Sequence, residues 1–166
     1  MSSDQQTALV DEETTPRVDS EAQDVVIVGA GAAGIGVGIA IAHAGIENFL
    51  IVDRDTVGAS FSSWPEETRF ITPSFPSNSI GMLDLNSIAI GISPAFSMKV
   101  EHPTGKEYAE HLQDIAEYFE LPILENTNVD SIEKIDGFFH LNIGDSNLLA
   151  KNVIWAAGEY QYPLLD

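Results

Sequence analysis

The chain has 166 residues, enough for one domain with a sizeable core, and carries 26 acidic against 7 basic residues, a net charge of −19. That balance excludes nucleic acid and anionic membrane as natural partners. The absence of cysteine excludes disulfides, thiolate nucleophiles and cysteine metal sites within this chain. Dense surface acid also suits a protein adapted to high salt, a halophilic habit in which carboxylates stay hydrated and their repulsion is screened. The start has neither a basic n-region nor an apolar core, and the longest uncharged apolar stretch, 25–46, is broken by glycines, so a cytoplasmic location is expected.

Residues 1–23 hold six acids, one arginine and no aromatic residue, and read as a disordered acidic tail. The fold is expected to begin at Asp24. Val25, Val26, Ile27 and Val28 form a strand buried on both faces. Gly29, Gly31 and Gly34 follow as G-x-G-x-x-G and open a helix over 32–44 that is small or apolar throughout, with Gly45 as its stop. The three glycines serve different ends. Gly29 allows the tight turn, Gly31 lets a pyrophosphate reach the backbone, and Gly34 brings the helix close to the sheet, a contact that Gly38 extends. The free N–H groups at the start of that helix, Ala32 and Ala33 among them, face the phosphates together with its positive dipole end. A second buried strand, 48–52, ends at Asp53, 19 residues after Gly34, where a carboxylate accepts hydrogen bonds from ribose hydroxyls and repels a 2′-phosphate. The bland alternative is a glycine-rich turn that binds nothing. The flanking strand, the uncharged helix and the acid together favour a dinucleotide.

Residues 54–103 hold five prolines and many serines without clear periodicity, and about fifty residues is too long for an empty loop, so short helical turns packed against a ligand are expected. Thr104 and Glu107 form a capping box at the start of a helix over 104–119, with Tyr108, Leu112, Ile115 and Phe119 as its apolar stripe and Pro122 as its end. Ile123 and Leu124 read as a short strand. The segment 129–135 alternates, Asp136-Gly137 is a hairpin turn, and 138–143 alternates again. A turn at 144–147 leads to Leu148, Leu149 and Ala150, and 152–156 reads as one more buried strand, ending at Ala157-Gly158.

A domain for NAD alone continues after its first acid with further βαβ units, whereas this chain continues with a long loop, a helix, a β-meander and a returning strand. That order resembles the FAD domain of flavin-containing monooxygenases and related NAD(P)H-dependent flavoprotein oxidoreductases with two dinucleotide-binding domains. The resemblance covers 24–163 and rests on three stretches. The first is Gly29 to Asp53. The second is Gly58-Ala59-Ser60-Phe61-Ser62-Ser63-Trp64-Pro65 with Arg69-Phe70-Ile71-Thr72-Pro73, similar to a stretch that lies along the flavin. The third is Ile154-Trp155-Ala156-Ala157-Gly158 with Pro163, which resembles the A-T-G motif at the handover to the NAD(P)H domain, with Ala157 in place of the threonine. The segment His102-Pro103-Thr104-Gly105-Lys106-Glu107-Tyr108 also looks like the start of a helix in this group.

The resemblance implies an α/β, Rossmann-like FAD-binding domain over 24–166: a parallel sheet with helices plus a β-meander, stopping before the NAD(P)H domain. The remainder is then either absent from a fragment or carried by another chain. It implies an FAD-dependent oxidoreductase, monooxygenase-like, with NAD(P)H as electron donor in the intact protein and a small-molecule substrate. A glutathione-reductase type is disfavoured because 58–64 lacks its cysteines; a thioredoxin-reductase type, whose cysteines lie in the second domain, stays open. The rival readings are a nonenzymatic FAD- or nucleotide-binding module and an NAD-only protein.

Among single residues, Asp53 reads as the ribose ligand or, failing that, as a solvated strand end. Arg54 reads as an adenine or phosphate contact or as a surface cation. Trp64 reads as a flavin neighbour or a core-closing aromatic, and Thr72 as a flavin donor or a turn threonine. Ser60 and Ser62 could bind phosphate or flavin oxygens, or belong to an ordinary serine-rich loop. Arg69 meets the flavin or an NADPH phosphate, or pairs with Glu66 or Glu67. Val129 follows the resemblance as a backbone contact to adenine, and Ala157 and Gly158 as the close approach of the last strand. His43, His102, His111 and His140 lack metal-ligand spacing and read as structural, His111 on an exposed helix face.

Overall fold

The computed structural model describes residues 21–72 and 86–159. Most of the acidic tail and Pro163 lie outside them. In chain order the elements are β1 (Gln23–Val28), α1 (Ala32–His43), β2 (Phe49–Val52), α2 (Ala59–Ser62), α3 (Pro94–Met98), α4 (Gly105–Tyr118), β3 (Ile123–Leu124), β4 (Ser131–Ile135), β5 (Phe138–Ile143) and β6 (Ser146–Trp155).

The strands form one six-stranded sheet in the order β3-β2-β1-β6-β5-β4. The first four are mutually parallel, and β5 and β4 continue as an antiparallel meander. Val28 pairs with both Val52 and Trp155, and Val52 with Leu124, so the carboxyl ends of the four parallel strands finish level. From β1 the chain winds outward through α1 to β2 and through α4 to β3, then returns on the far side of β1 as β6. The strand order therefore reverses between β1 and β6, the place where open α/β sheets leave a crevice at their carboxyl ends.

From Val25 to Val28 β1 is apolar at every position because both of its faces are covered there. Val25 and Ile27 face α1 and α4, in a core with Ile35, Ile39, Ile51, Tyr108, Leu112 and Ile115. Val26 and Val28 face the meander, in a second core with Leu141, Leu148 and Ala150. Helices cover one face and strands the other.

Several boundaries differ from the sequence reading. The segments 148–150 and 152–156 are one ten-residue strand. Its first half pairs with β5 and its second with β1, and Ala150 pairs with both Phe139 and Gln23. It is only partly buried, and Trp155 is 59% exposed. The long helix stops at Tyr118, four residues short of Pro122, because the chain closes it there: Glu120 takes φ +50°, its N–H donates to Glu117 C=O, and Leu121 N–H donates to Ala116 C=O. The expected short helical turns in 54–103 are α2 and α3. His111 is buried, not exposed: α3 packs on that face of α4, and the imidazole Nδ1 lies 3.0 Å from Ser97 Oγ.

Candidate functional site

A cleft of about 770 Å³ lies over the level carboxyl ends of β1, β2 and β6. One wall is the turn from β1 into α1, lined by Gly29, Gly31, Ala32 and Ala33. The opposite wall is α2 and the residues after it, from Ala59 to Trp64 without Ser62. Asp53, Arg54 and Asp55 close one end with Thr127, Asn128 and Val129; Trp155, Ala156, Ala157, Gly158 and Glu159 form the far rim.

The glycine turn is held by the strands beside it. Gly29 sits at φ +113°, and a Cβ there would fall 2.4 Å from the carbonyl oxygen of Ala156. A Cβ on Gly34 would fall 1.8 Å from the carbonyl oxygen of Gly29, so this buried glycine closes the turn on itself and lies behind the cleft, outside its lining. Gly34 also lies against β1, where its Cβ would meet Ile27 Cγ2 at 3.6 Å, and Gly38 extends the approach of the helix to the sheet, its Cβ meeting Ile51 Cδ1 at 2.7 Å. The turn is latched by hydrogen bonds from Gly29 N–H to Val52 C=O (2.8 Å) and from Ala156 N–H to Val28 C=O (2.7 Å).

Gly31 is different. It precedes α1 with φ −79° and ψ −172°, extended backbone open to any residue, and a Cβ there would meet no described atom within 4 Å. Neither strain nor a protein neighbour requires glycine at this position; the space a side chain would fill is the cleft. The first turn of α1 has no side-chain cap and no acidic residue. Its leading N–H groups and dipole end therefore point into the cleft as an anion site.

The Asp53 carboxylate is fixed from two sides. One oxygen accepts the Ala30 N–H, and the other accepts the Asp55 N–H at 2.9 Å. A carboxylate oxygen can accept two bonds, so each has capacity for one further donor, and Asp53 lines the cleft. The loop after β3 is drawn onto the same end: Thr127 N–H donates to Asp53 C=O and Asn126 N–H to Asp55 C=O. Asp130 clamps that loop to the β5–β6 turn. The Gly144 N–H and then the Asn128 amide donate to its carboxylate, which holds its pKa below the ordinary aspartate value. Among the described residues, the ionisable side chains lining the cleft are Asp53, Asp55, Glu159 and Arg54, and Arg54 is paired with Asp55 at 3.3 Å. Charge neutralisation of a phosphate here thus falls mainly to backbone N–H groups.

Of the candidate residues read from the sequence, Gly29, Gly31, Ala32, Ala33, Asp53, Arg54, Ser60, Trp64, Val129, Ala157 and Gly158 line this one cleft, and Ser62 does not. Gly34 does not, for the steric reason above. Thr72 does not, because the segment containing it is drawn back to the start of α4: Phe70 N–H donates to Pro103 C=O at 2.8 Å, and Arg69 bridges to Thr104. Arg69 donates to the His102 carbonyl at 3.1 Å and forms no ion pair with Glu66 or Glu67 among the described residues. Asp55, Thr127, Asn128, Trp155 and Glu159 line the cleft without having been singled out. Each follows or ends a parallel strand at its carboxyl end, and counting those positions on all four strands would have found them.

The family model described as pyridine nucleotide-disulphide oxidoreductase matches residues 26–166. A protein of Geobacillus kaustophilus named "uncharacterized oxidoreductase CzcO-like" is 41% identical over 64 residues, which is 39% of this chain and 18% of that protein. The bacillithiol disulfide reductase of Staphylococcus aureus superposes with a TM-score of 0.68 at 18% identity, over 83% of this chain and 39% of its own. A flavin-containing monooxygenase from Stenotrophomonas maltophilia superposes with a TM-score of 0.63 at 19% identity, over 82% of this chain and 38% of its own. The chain thus spans about two fifths of the length of these solved proteins, and they share its fold.

Proposed function

Because the chain belongs to the pyridine nucleotide-disulphide oxidoreductase family, a family of flavoprotein oxidoreductases, we propose that its cleft holds FAD and that the protein is a monooxygenase-like oxidoreductase reduced by NAD(P)H. When bound, the flavin supplies the two-electron chemistry. The chain's own part is to seat the pyrophosphate on the N–H groups at the start of α1, to hold the ribose diol on Asp53, and to shape the far end with Trp64, Ala157 and Gly158. The substrate is a small molecule, in keeping with a charge of −19 that repels nucleic acid and anionic membranes. No helix among the described residues is long and apolar enough to cross a membrane.

The observation that carries the reading is Gly31, a glycine with open space beside it where the cleft meets the uncapped start of α1. The test is a visible absorption spectrum, taken after the protein is mixed with FAD in concentrated salt and desalted into the same buffer. Retained flavin bands, lost in Gly31→Val, support the proposal. A folded protein that stays colourless and shows no heat of binding with FAD refutes it.

A further inference from the structure

We infer that Phe70, outside the cleft, is a positioning residue for the cofactor: backed by Tyr108, its ring sets the plane that Trp64 presents to the bound dinucleotide. This rests on the cleft being the FAD site.

Four rings form one cluster behind the α2 wall. Trp64 stacks on Phe70, with centroids 5.0 Å apart and planes 30° from parallel. Phe61 touches Trp64 at 5.4 Å and stacks on Phe70 at 6.1 Å. Tyr108 closes the cluster, 4.8 Å from both Phe61 and Phe70. Only Phe61 and Trp64 reach the cleft. Tyr108 is 4% exposed and is fixed at its far end by its hydroxyl, which donates to Asn86 C=O at 3.1 Å.

Trp64 thus has a free side on the cleft and a supported side on Phe70, and the support is itself anchored. The backbone of Phe70 is held to Pro103, that of its neighbour Arg69 to Thr104, and the Ile71 carbonyl to His102 Nδ1 at 2.7 Å. The distance between α4 and the α2 wall is set at Gly105. A Cβ there would fall 2.1 Å from the Phe61 carbonyl oxygen and 3.0 Å from Trp64 Cβ, so α4 meets the α2 segment with no side chain between them. An indole has few torsions, and a stacked neighbour removes the freedom of the outer one, so the ring meets a ligand already oriented. That accounts for a phenylalanine stacked on Trp64 from outside the cleft.

The test is Phe70→Leu, which keeps apolar volume and removes the ring. We expect native far-UV circular dichroism, a Kd for FAD weaker by roughly threefold to tenfold, the worth of one aromatic pair, and an altered spectrum of the bound flavin. Phe70→Tyr should restore both. Phe138→Leu, which removes a 39% exposed ring on β5 away from the cleft, should change neither. In a Trp155→Phe background, where Trp64 is the single tryptophan, Phe70→Leu should also shift the near-UV band of Trp64 without any cofactor. If Phe70→Leu does not fold, Phe70→Met takes its place in every arm. Wild-type protein that binds FAD, with a variant that binds it equally well, overturns the role of Phe70 and leaves the FAD reading standing. Wild-type protein that takes no FAD overturns both, and the two failures are told apart by the wild-type titration alone.

Discussion

The two long helices begin with the same backbone problem and solve it in opposite ways. Each start leaves four N–H groups without an intrahelical partner. At α4 the chain satisfies two of them itself: Thr104 accepts from the Glu107 N–H at 3.2 Å, while the Glu107 carboxylate accepts from the Thr104 N–H at 2.7 Å and from its hydroxyl at 2.9 Å. At α1 the preceding residue is glycine, the first turn is alanine, alanine and glycine, and no side chain caps it. The difference separates a helix start that serves stability from one kept for a ligand, and it is written in side chains, since the backbones are alike.

Substitutions can break that contrast from either side. The largest effect is expected at Gly34→Ala, whose new methyl would lie on the Gly29 carbonyl; overpacking of backbone against backbone should cost about 3 kcal/mol or more. Urea unfolding with unchanged slope measures it, and a loss under about 1 kcal/mol would show that the turn relaxes freely. Gly31→Val should leave the unfolding midpoint nearly unchanged while weakening FAD binding by about a hundredfold, roughly 3 kcal/mol. Calorimetry beside thermal melting separates the two quantities, and equal loss of both would make Gly31 an ordinary structural glycine. Thr104→Ala should do the reverse, costing about 1 kcal/mol of stability with cofactor affinity intact.

The smallest effect is in pH. The backbone N–H of Thr104, and then its hydroxyl, hold the Glu107 carboxyl below its ordinary value of 4.5. The folded state therefore favours the ionised form. Its contribution is present in full above pH 4.5 and fades as the pH falls through the lower folded value. Glu107→Gln should flatten the stability profile in that acid window and leave it unchanged near neutrality. A variant with the same acid slope as the parent would assign that slope to other carboxylates.

Much of this architecture was legible because its signals are local. The glycine spacing, the apolar β1 run, Asp53 at the end of β2, the Thr104–Glu107 box and the Asp136-Gly137 turn all act within a few residues, and each element formed where its residues ask for it. What escaped the sequence depends on distant partners. Whether residues 148–150 and 152–156 are two strands or one is decided by Ala150 having neighbours on both sides. His111 looked exposed on a helical wheel because the cover comes from α3, in a segment without periodicity. Thr72 follows a motif that points to the cleft, but the hydrogen bonds of Phe70 and Arg69 take its segment elsewhere.

The double pairing of β6 has a consequence for synthesis. Lys151 reaches Asp24 across 127 residues of chain, with a 2.6 Å ion pair at the seam where β1 meets β6. Until the ribosome has delivered β6, one edge of β1 stays open, and the meander has nothing to fasten it to the parallel half. Long-range pairing of this kind closes late, and an open edge that is apolar from Val25 to Val28 is prone to join another chain. The nascent protein is therefore most vulnerable to aggregation just before β6 emerges. A stall at that point would be expected to send more chains to chaperones than a stall of equal length inside α4.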